Sequence, residues 1–214
     1  MRKLALTLMA AVAATVAAAP ASAVTIVKPV SVTFAQGVTS LVDNGKVFQD
    51  FDKLATGSTL NNNTKIYNSN VTDNGKTPNG SVGNYAAILG GGSYNIKLPA
   101  YAPVLSFLAG SIDLYNSVTL SLVDTTTNLN NTSTQTFTGA QLGTIGADGR
   151  ITFDTGSSTF LISSVLFQSG QNSFEVDTLA SAAPEPATWA MMILGFGFAG
   201  MGLRSRRRGK LALA

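Results

Sequence analysis

The chain has 214 residues, 45% of them hydrophobic, and neither cysteine nor histidine. That inventory excludes disulfide staples, thiolate metal sites, cysteine nucleophiles, histidine general bases and Ser-His-Asp triads. The formal net charge of +3 belongs to the ends: Arg2, Lys3, Arg204, Arg206, Arg207, Arg208 and Lys210 are terminal, and between Val24 and Ala183 seven Lys or Arg face ten Asp or Glu, so the body has no basic patch and no nucleic-acid partner is expected.

In chain order, residues 1–23 come first as a secretory signal peptide. Arg2 and Lys3 precede an apolar stretch from Leu4 to Ala19, and Ala21-Ser22-Ala23 supplies the small residues a signal peptidase accepts. Cleavage is expected after Ala23. Signal peptidase and the secretion machinery are therefore expected partners. The apolar run is alanine-heavy and short of the roughly 20 residues that a membrane span prefers.

Residues 24–180 read as one exported β domain. A body of this size can bury roughly two thirds of its unfolded surface without staples. Asp43-Asn44-Gly45, Asp73-Asn74-Gly75, Asn79-Gly80 and Asp148-Gly149 suit positive φ and tight turns. Between them lie period-two stretches. In Ser93 to Leu98, Tyr94, Ile96 and Leu98 share one face and Asn95 and Lys97 the other, and Arg150 to Asp154 and Ser173 to Asp177 alternate likewise, as half-buried antiparallel strands do.

Val104 to Ala109 and Phe160 to Phe167 are apolar on both sides and read as central strands covered on both faces. The polar tracts Thr56 to Thr64 and Thr125 to Thr134 read as loops, the second joining Val118–Val123 and Gln135–Thr138 in a hairpin. No sustained helical stripe with caps occurs in the body. The fold class expected is all-β, an antiparallel, jelly-roll-like β-sandwich of about eight to ten strands, flanked by the signal peptide and a single C-terminal transmembrane helix.

Candidate chemistry in the body is sparse. Glu175 and Asp177, two apart on one strand, stand about 6.5 to 7 Å apart on one face, the separation of an inverting glycosidase pair; an exposed strand face opposite Phe174 and Val176 is the simpler expectation. Asp50-Phe51-Asp52 repeats the spacing. Acid/base work needs two carboxyls held in different environments, which spacing alone does not supply. Asp113, Asn116 and Asp177 are the candidates for a calcium site, against turn formation as the plainer role. Tyr67, Tyr85, Tyr94, Tyr101 and Tyr115 could stack on sugars or pack in strands. No catalytic residue, metal or cofactor is assigned.

Residues 181–214 differ in kind. Ala187 to Leu203 is an uncharged run of 17 residues, as a helix roughly 26 Å long, with Trp189 near one end and arginines at the other. Positive residues stay cytoplasmic, which puts the body on the periplasmic side of an inner membrane. Pro184-Glu185-Pro186 stops the helix from running back into the body and leaves a stiff, extended tripeptide at the membrane surface. Gly195, Gly197, Gly200 and Gly202 smooth one helix face for a partner helix.

Pro184, Glu185, Pro186, Trp189, Ala190 and the basic tail Arg204, Arg206, Arg207 and Arg208 together resemble the PEP-CTERM sorting signal in its PEPxxWA variety, although this chain runs on from Gly209 to Ala214. The resemblance implies recognition by exosortase, a membrane cysteine protease-transpeptidase of Gram-negative bacteria that make exopolysaccharide. It further implies cutting near Pro184-Glu185-Pro186 and transfer or release of the body to the cell surface or matrix. Phe107 to Asn116 and Ser173 to Ala180 are similar to β-sandwich domains that often carry this tail. The function expected is that of a non-catalytic surface or matrix protein associated with exopolysaccharide. The alternatives are a carbohydrate-binding module and, behind it, a glycan hydrolase.

Overall fold

In the computed structural model the described residues are 30–41, 45–126, 132–157 and 159–182, together with 194 and 196. The signal peptide expected over 1–23, most of the Asp43-Asn44-Gly45 turn, and the span expected over 187–203, apart from those two positions, lie outside them. Among the described residues no helix is long and apolar enough to cross a membrane.

Among the described residues the strands are β1 (Ser31–Gln36), β2 (Lys46–Gln49), β3 (Thr59–Leu60), β4 (Thr64–Tyr67), β5 (Tyr85–Ile88), β6 (Gly92–Ala102), β7 (Val104–Ala109), β8 (Asn116–Asp124), β9 (Thr132–Thr138), β10 (Gly149–Asp154), β11 (Phe160–Ser169) and β12 (Phe174–Ala182), with a helical turn, α1 (Gly139–Leu142), between β9 and β10. All pair antiparallel. The larger sheet runs β1-β10-β7-β12-β5-β4-β3, with β2 also on β12; the smaller runs β6-β11-β8-β9. The two pack as a sandwich, as the alternating apolar faces require.

The extra strands relative to the sequence expectation include two short ones. Thr56 to Thr64, expected as a loop, contains β3 and the start of β4, because Asn62 and Asn63 take positive φ (49° and 57°) and reverse the chain. Asparagine tolerates that region better than most residues. Asp73 likewise sits at φ 60°, with Gly75 N–H donating to Val71, as its turn requires. Asp148-Gly149 is no turn: Gly149 opens β10, and the reversal is made at Thr144–Ala147, with Gly146 at φ 77°. The β8–β9 hairpin forms in the expected place, from Ser117↔Thr138 to Val123↔Thr132.

An aromatic seam joins the sheets. Phe107 on β7 meets Phe167 on β11 edge-on at 4.9 Å, and Phe153 on β10 meets Phe137 on β9 at 4.9 Å. Rings in these geometries add about 0.5–1.5 kcal/mol per pair beyond their buried area. Tyr94, Ile96 and Leu98 turn inward and Asn95 and Lys97 outward, as their alternation demands.

The two strands expected to be covered on both faces part company. β7 is buried from Leu105 to Ala109, whereas β11 alternates, with Leu161, Ser163, Ser164 and Leu166 partly exposed. β10 and β12, expected half-buried, are buried on both faces, including Arg150, Glu175 and Asp177 at 1% exposure each. One cause explains all of this. Segments within 37–41 and 50–84 lie across the outer face of the larger sheet, and among the described residues the smaller sheet has no such cover. Thr39 accepts from Arg150, Ser69 accepts from Tyr85, and Lys76 packs over Gly110.

Candidate functional site

The covered face is where the polar groups gather. Arg150 on β10 and Asp177 on β12 both stand opposite Leu108 of the intervening β7, so they occupy one row of the sheet. Arg150 donates from Nη1 to Ser106 Oγ (3.1 Å) and from Nη2 to the Thr39 carbonyl (3.1 Å). Its Nε has no partner. Burial pulls its pKa down, and Asp177 opposes that fall.

Asp177 precedes a break in the ladder. The register of β12 against β7 shifts between Asp177 and Ala180, and Thr178 takes φ 46°. That is a strained conformation for a β-branched residue, of order 1–3 kcal/mol. The bulge divides the strand: Phe174–Val176 pair with β5, and Leu179–Ser181 with β2. Asp177 Oδ2 accepts from Thr178 Oγ1 at 3.2 Å. Ser81 lies close enough to favour the charged form, yet neither Ser81 Oγ nor Asp177 Oδ1 completes a hydrogen bond. Burial dominates and pushes the Asp177 carboxyl up to about 6.

Two residues earlier on β12, Glu175 has both oxygens engaged: Oε2 accepts from Ser111 Oγ at 3.1 Å and Oε1 from Ser173 Oγ. It forms the floor of an open polar cleft of about 220 Å³, walled by Val71, Asp73, Asn74, Lys76, Asp113 and Asn172. Gly110 shapes this floor, because a Cβ there would lie 2.4 Å from the Lys76 carbonyl and 2.8 Å from Glu175 Cβ. Lys76 in turn pairs with Asp148 at 3.1 Å.

The proposed carboxylate pair is thus separated by environment. Glu175 and Asp177 share a strand face, but it is buried rather than exposed, and the cleft reaches Glu175 alone of the two. Asp50 and Asp52 do not sit on a strand. Phe51 between them is buried at φ 61°, and Asp52 Oδ1 accepts the Asn84 N–H at 2.7 Å. Of the calcium candidates, Asp113 lines the cleft, Asp177 does not, and Asn116 is buried with its amide donating to Ser111 O and accepting from Ser169. Among the described residues no group of three or more acidic side chains is placed to hold a metal.

The tyrosines mostly pack. Tyr67 and Tyr85 tilt against each other at 6.2 Å, and Tyr94 packs on Phe51 at 6.0 Å. Burial raises the pKa of Tyr85 to about 12. Tyr115 stands beside Asp113, with its pKa raised to about 12 by burial first and by that carboxylate second. Tyr101 is the exposed one. The cleft residues Asn74, Lys76, Ser111, Asn172 and Ser173 carried no signal in the sequence beyond the turn at 73–75, because they meet through the cover and not along one strand.

The C-terminal sorting residues follow directly on β12. Ala21 and Ala23 lie outside the described residues, as do Pro184, Glu185, Pro186, Trp189, Ala190, Arg204, Arg206, Arg207 and Arg208. Leu194 and Phe196 are helical and exposed. β12 ends at Ala182, two residues before Pro184.

Residues 182–208 match the family described as the PEP-CTERM protein-sorting motif. Such a motif implies an exported protein, anchored at the cell surface and processed by exosortase. No curated protein matches the chain. A solved structure described as TmCBM61 in complex with beta-1,4-galactotriose aligns over 74% of this chain and 90% of that one, at 12% identity and a TM-score of 0.27.

Proposed function

We propose that this chain, which ends in a PEP-CTERM sorting motif, is a non-catalytic surface or matrix protein. Its β-sandwich is delivered whole by exosortase to an exopolysaccharide-rich exterior. The observation that carries this reading is the junction. The motif begins at Ala182, where β12 ends, and β12 lies inside the larger sheet between β7 and β5. A cut near Pro184-Glu185-Pro186 therefore leaves every described strand in place.

The same junction suits a tether. Force applied at the new C terminus enters a strand held on both edges, by β7 and by β2. The buried face of β12 is spent on structure: Glu175 is engaged by two serines and Asp177 sits under Ser81 at the bulge. Fractionating a producing strain tests the reading. The body should reach the surface or the medium with its C terminus near Pro184, and should stay in the inner membrane when the exosortase is deleted. A full-length protein with intact termini in the cytosol would end it.

A second reading is favoured by the cleft. It offers carboxylates, amides and hydroxyls at once, the groups that hydrogen-bond to sugar hydroxyls. Retention of the exported protein on the producer's own polysaccharide, lost in Glu175→Gln and in Asn172→Ala, would support a glycan site. Unchanged retention in both variants would leave the cleft without that role.

A further inference from the structure

On the side of the sandwich that carries β9 and β1, no strand among the described residues pairs with the outer edge of either, and we propose that this side joins two copies of this chain through antiparallel pairing of β9 with β9. Natural sheets guard their edges with charges, prolines, bulges or very short strands. The opposite side does so: β6 carries Lys97 and Pro99, β3 is two residues long and β2 carries Lys46. β9 (TSTQTFT) and β1 (SVTFAQ) contain no charge and no proline. They lie together, since the Val30 N–H donates to Gln135 Oε1 at 3.0 Å and α1 touches both strands.

The backbone of β9 is set up for such a partner. Thr138 N–H turns away from β8 to donate to Gln141 Oε1 at 2.9 Å. The Ser121 carbonyl of β8 faces β11, where it accepts from Ser163 Oγ at 3.0 Å. Ser121 stands opposite Thr134 and Ser117 opposite Thr138. Bonding direction alternates along a strand, so β8 bonds to Ser133, Gln135 and Phe137. The N–H and C=O groups of Thr132, Thr134 and Thr136 point to the open edge. The 2.8 Å contact between Thr119 Oγ1 and Thr136 Oγ1 agrees, because side chains approach most closely at non-hydrogen-bonded pairs.

The sequence of the strand makes the pairing self-complementary. With the two-fold axis at Thr134, Thr134 meets itself, Thr132 meets Thr136, and Ser133 meets Gln135. Threonine pairs opposite one another are favourable in antiparallel sheets, and no like charges confront each other. Thr138, already engaged by Gln141, stays outside the contact. Such an isologous contact closes, giving a dimer rather than a fibre. The smaller sheets of the two copies then form one continuous sheet.

The natural chain has no cysteine, so Thr134→Cys provides a single thiol at an exposed position on the axis. Hydrogen-bonded antiparallel pairs stand about 5.5 Å apart at Cα, within disulfide reach. On mild oxidation of producing cells, Thr134→Cys should give a covalent dimer, whereas Thr119→Cys, one strand inward on the same face, should not. Light scattering on the exported protein should show twice the monomer mass, falling to the monomer in Thr136→Lys. A wild-type monomer, equal cross-linking at the two cysteines, or a dimer that survives Thr136→Lys, as association through the tail would, overturns the proposal.

Discussion

Arg150 Nη1 lies 3.4 Å from the carbonyl oxygen of Thr178, so a guanidinium on β10 reaches across β7 to the bulge of β12. The same side chain holds the Thr39 carbonyl of the cover and Ser106 beneath it. Arg150 therefore joins three separate parts of the chain in a place that water does not reach.

Arg150→Ala should lower the unfolding free energy of the exported protein by about 2–4 kcal/mol, because buried carbonyls lose their donor and the stem leaves a void. Arg150→Met keeps the stem and should cost less. Urea titration checks the order; equal stability of wild type and Arg150→Ala would show that the residue does not clamp the bulge.

The carboxyl of Asp177 titrates at about 6 in the folded protein against 3.8 for a free aspartate. A raised folded-state pKa means that the native state binds the proton more tightly. Its contribution to stability is complete below the unfolded value and is lost as pH rises through about 6. Between about pH 4 and pH 7 this group should remove about 3 kcal/mol. Asp177→Asn should flatten that slope and stabilise the protein at neutral pH, which denaturation at several pH values reads directly.

Gly110→Ala places a methyl 2.4 Å from the Lys76 carbonyl and 2.8 Å from Glu175 Cβ. Backbone on one side and a buried strand on the other cannot both yield. The variant should lose about 1–3 kcal/mol, and hydrogen exchange should quicken in residues 70–84 before it does in β8 or β11.

For the tail, Glu185→Ala or removal of Arg204 to Arg208 should leave a full-length form in the inner membrane. The first takes away the acidic centre of the Pro184-Glu185-Pro186 tripeptide, and the second the positive charge that the sequence leads one to expect on the cytoplasmic side. Immunoblotting of membrane and medium fractions reports it. Unaltered release of both variants would mean that processing does not depend on these groups.

Much of the fold was legible because β structure writes a period of two into the chain. Tyr94, Ile96 and Leu98 could share only one face, and the β8–β9 hairpin followed from two alternating runs around a polar tract. The bulge at Thr178 was not legible, since a threonine at positive φ runs against its own preference and exists because neighbours over-determine it. Nor was the cleft: Ser111, Asn172 and Glu175 come from three segments that meet only after the sheet has formed.

The sequence by itself determined the class of the body, the direction of its faces, and the C-terminal sorting motif, because periodicity, charge order and proline placement are local properties of the chain. Tertiary structure alone decided that the outward faces of β10 and β12 are covered. Alternation says which side of a strand a residue takes, but what lies above that side is settled by distant segments, here within 37–41 and 50–84. That cover turned Arg150, Glu175 and Asp177 from surface charges into buried ones.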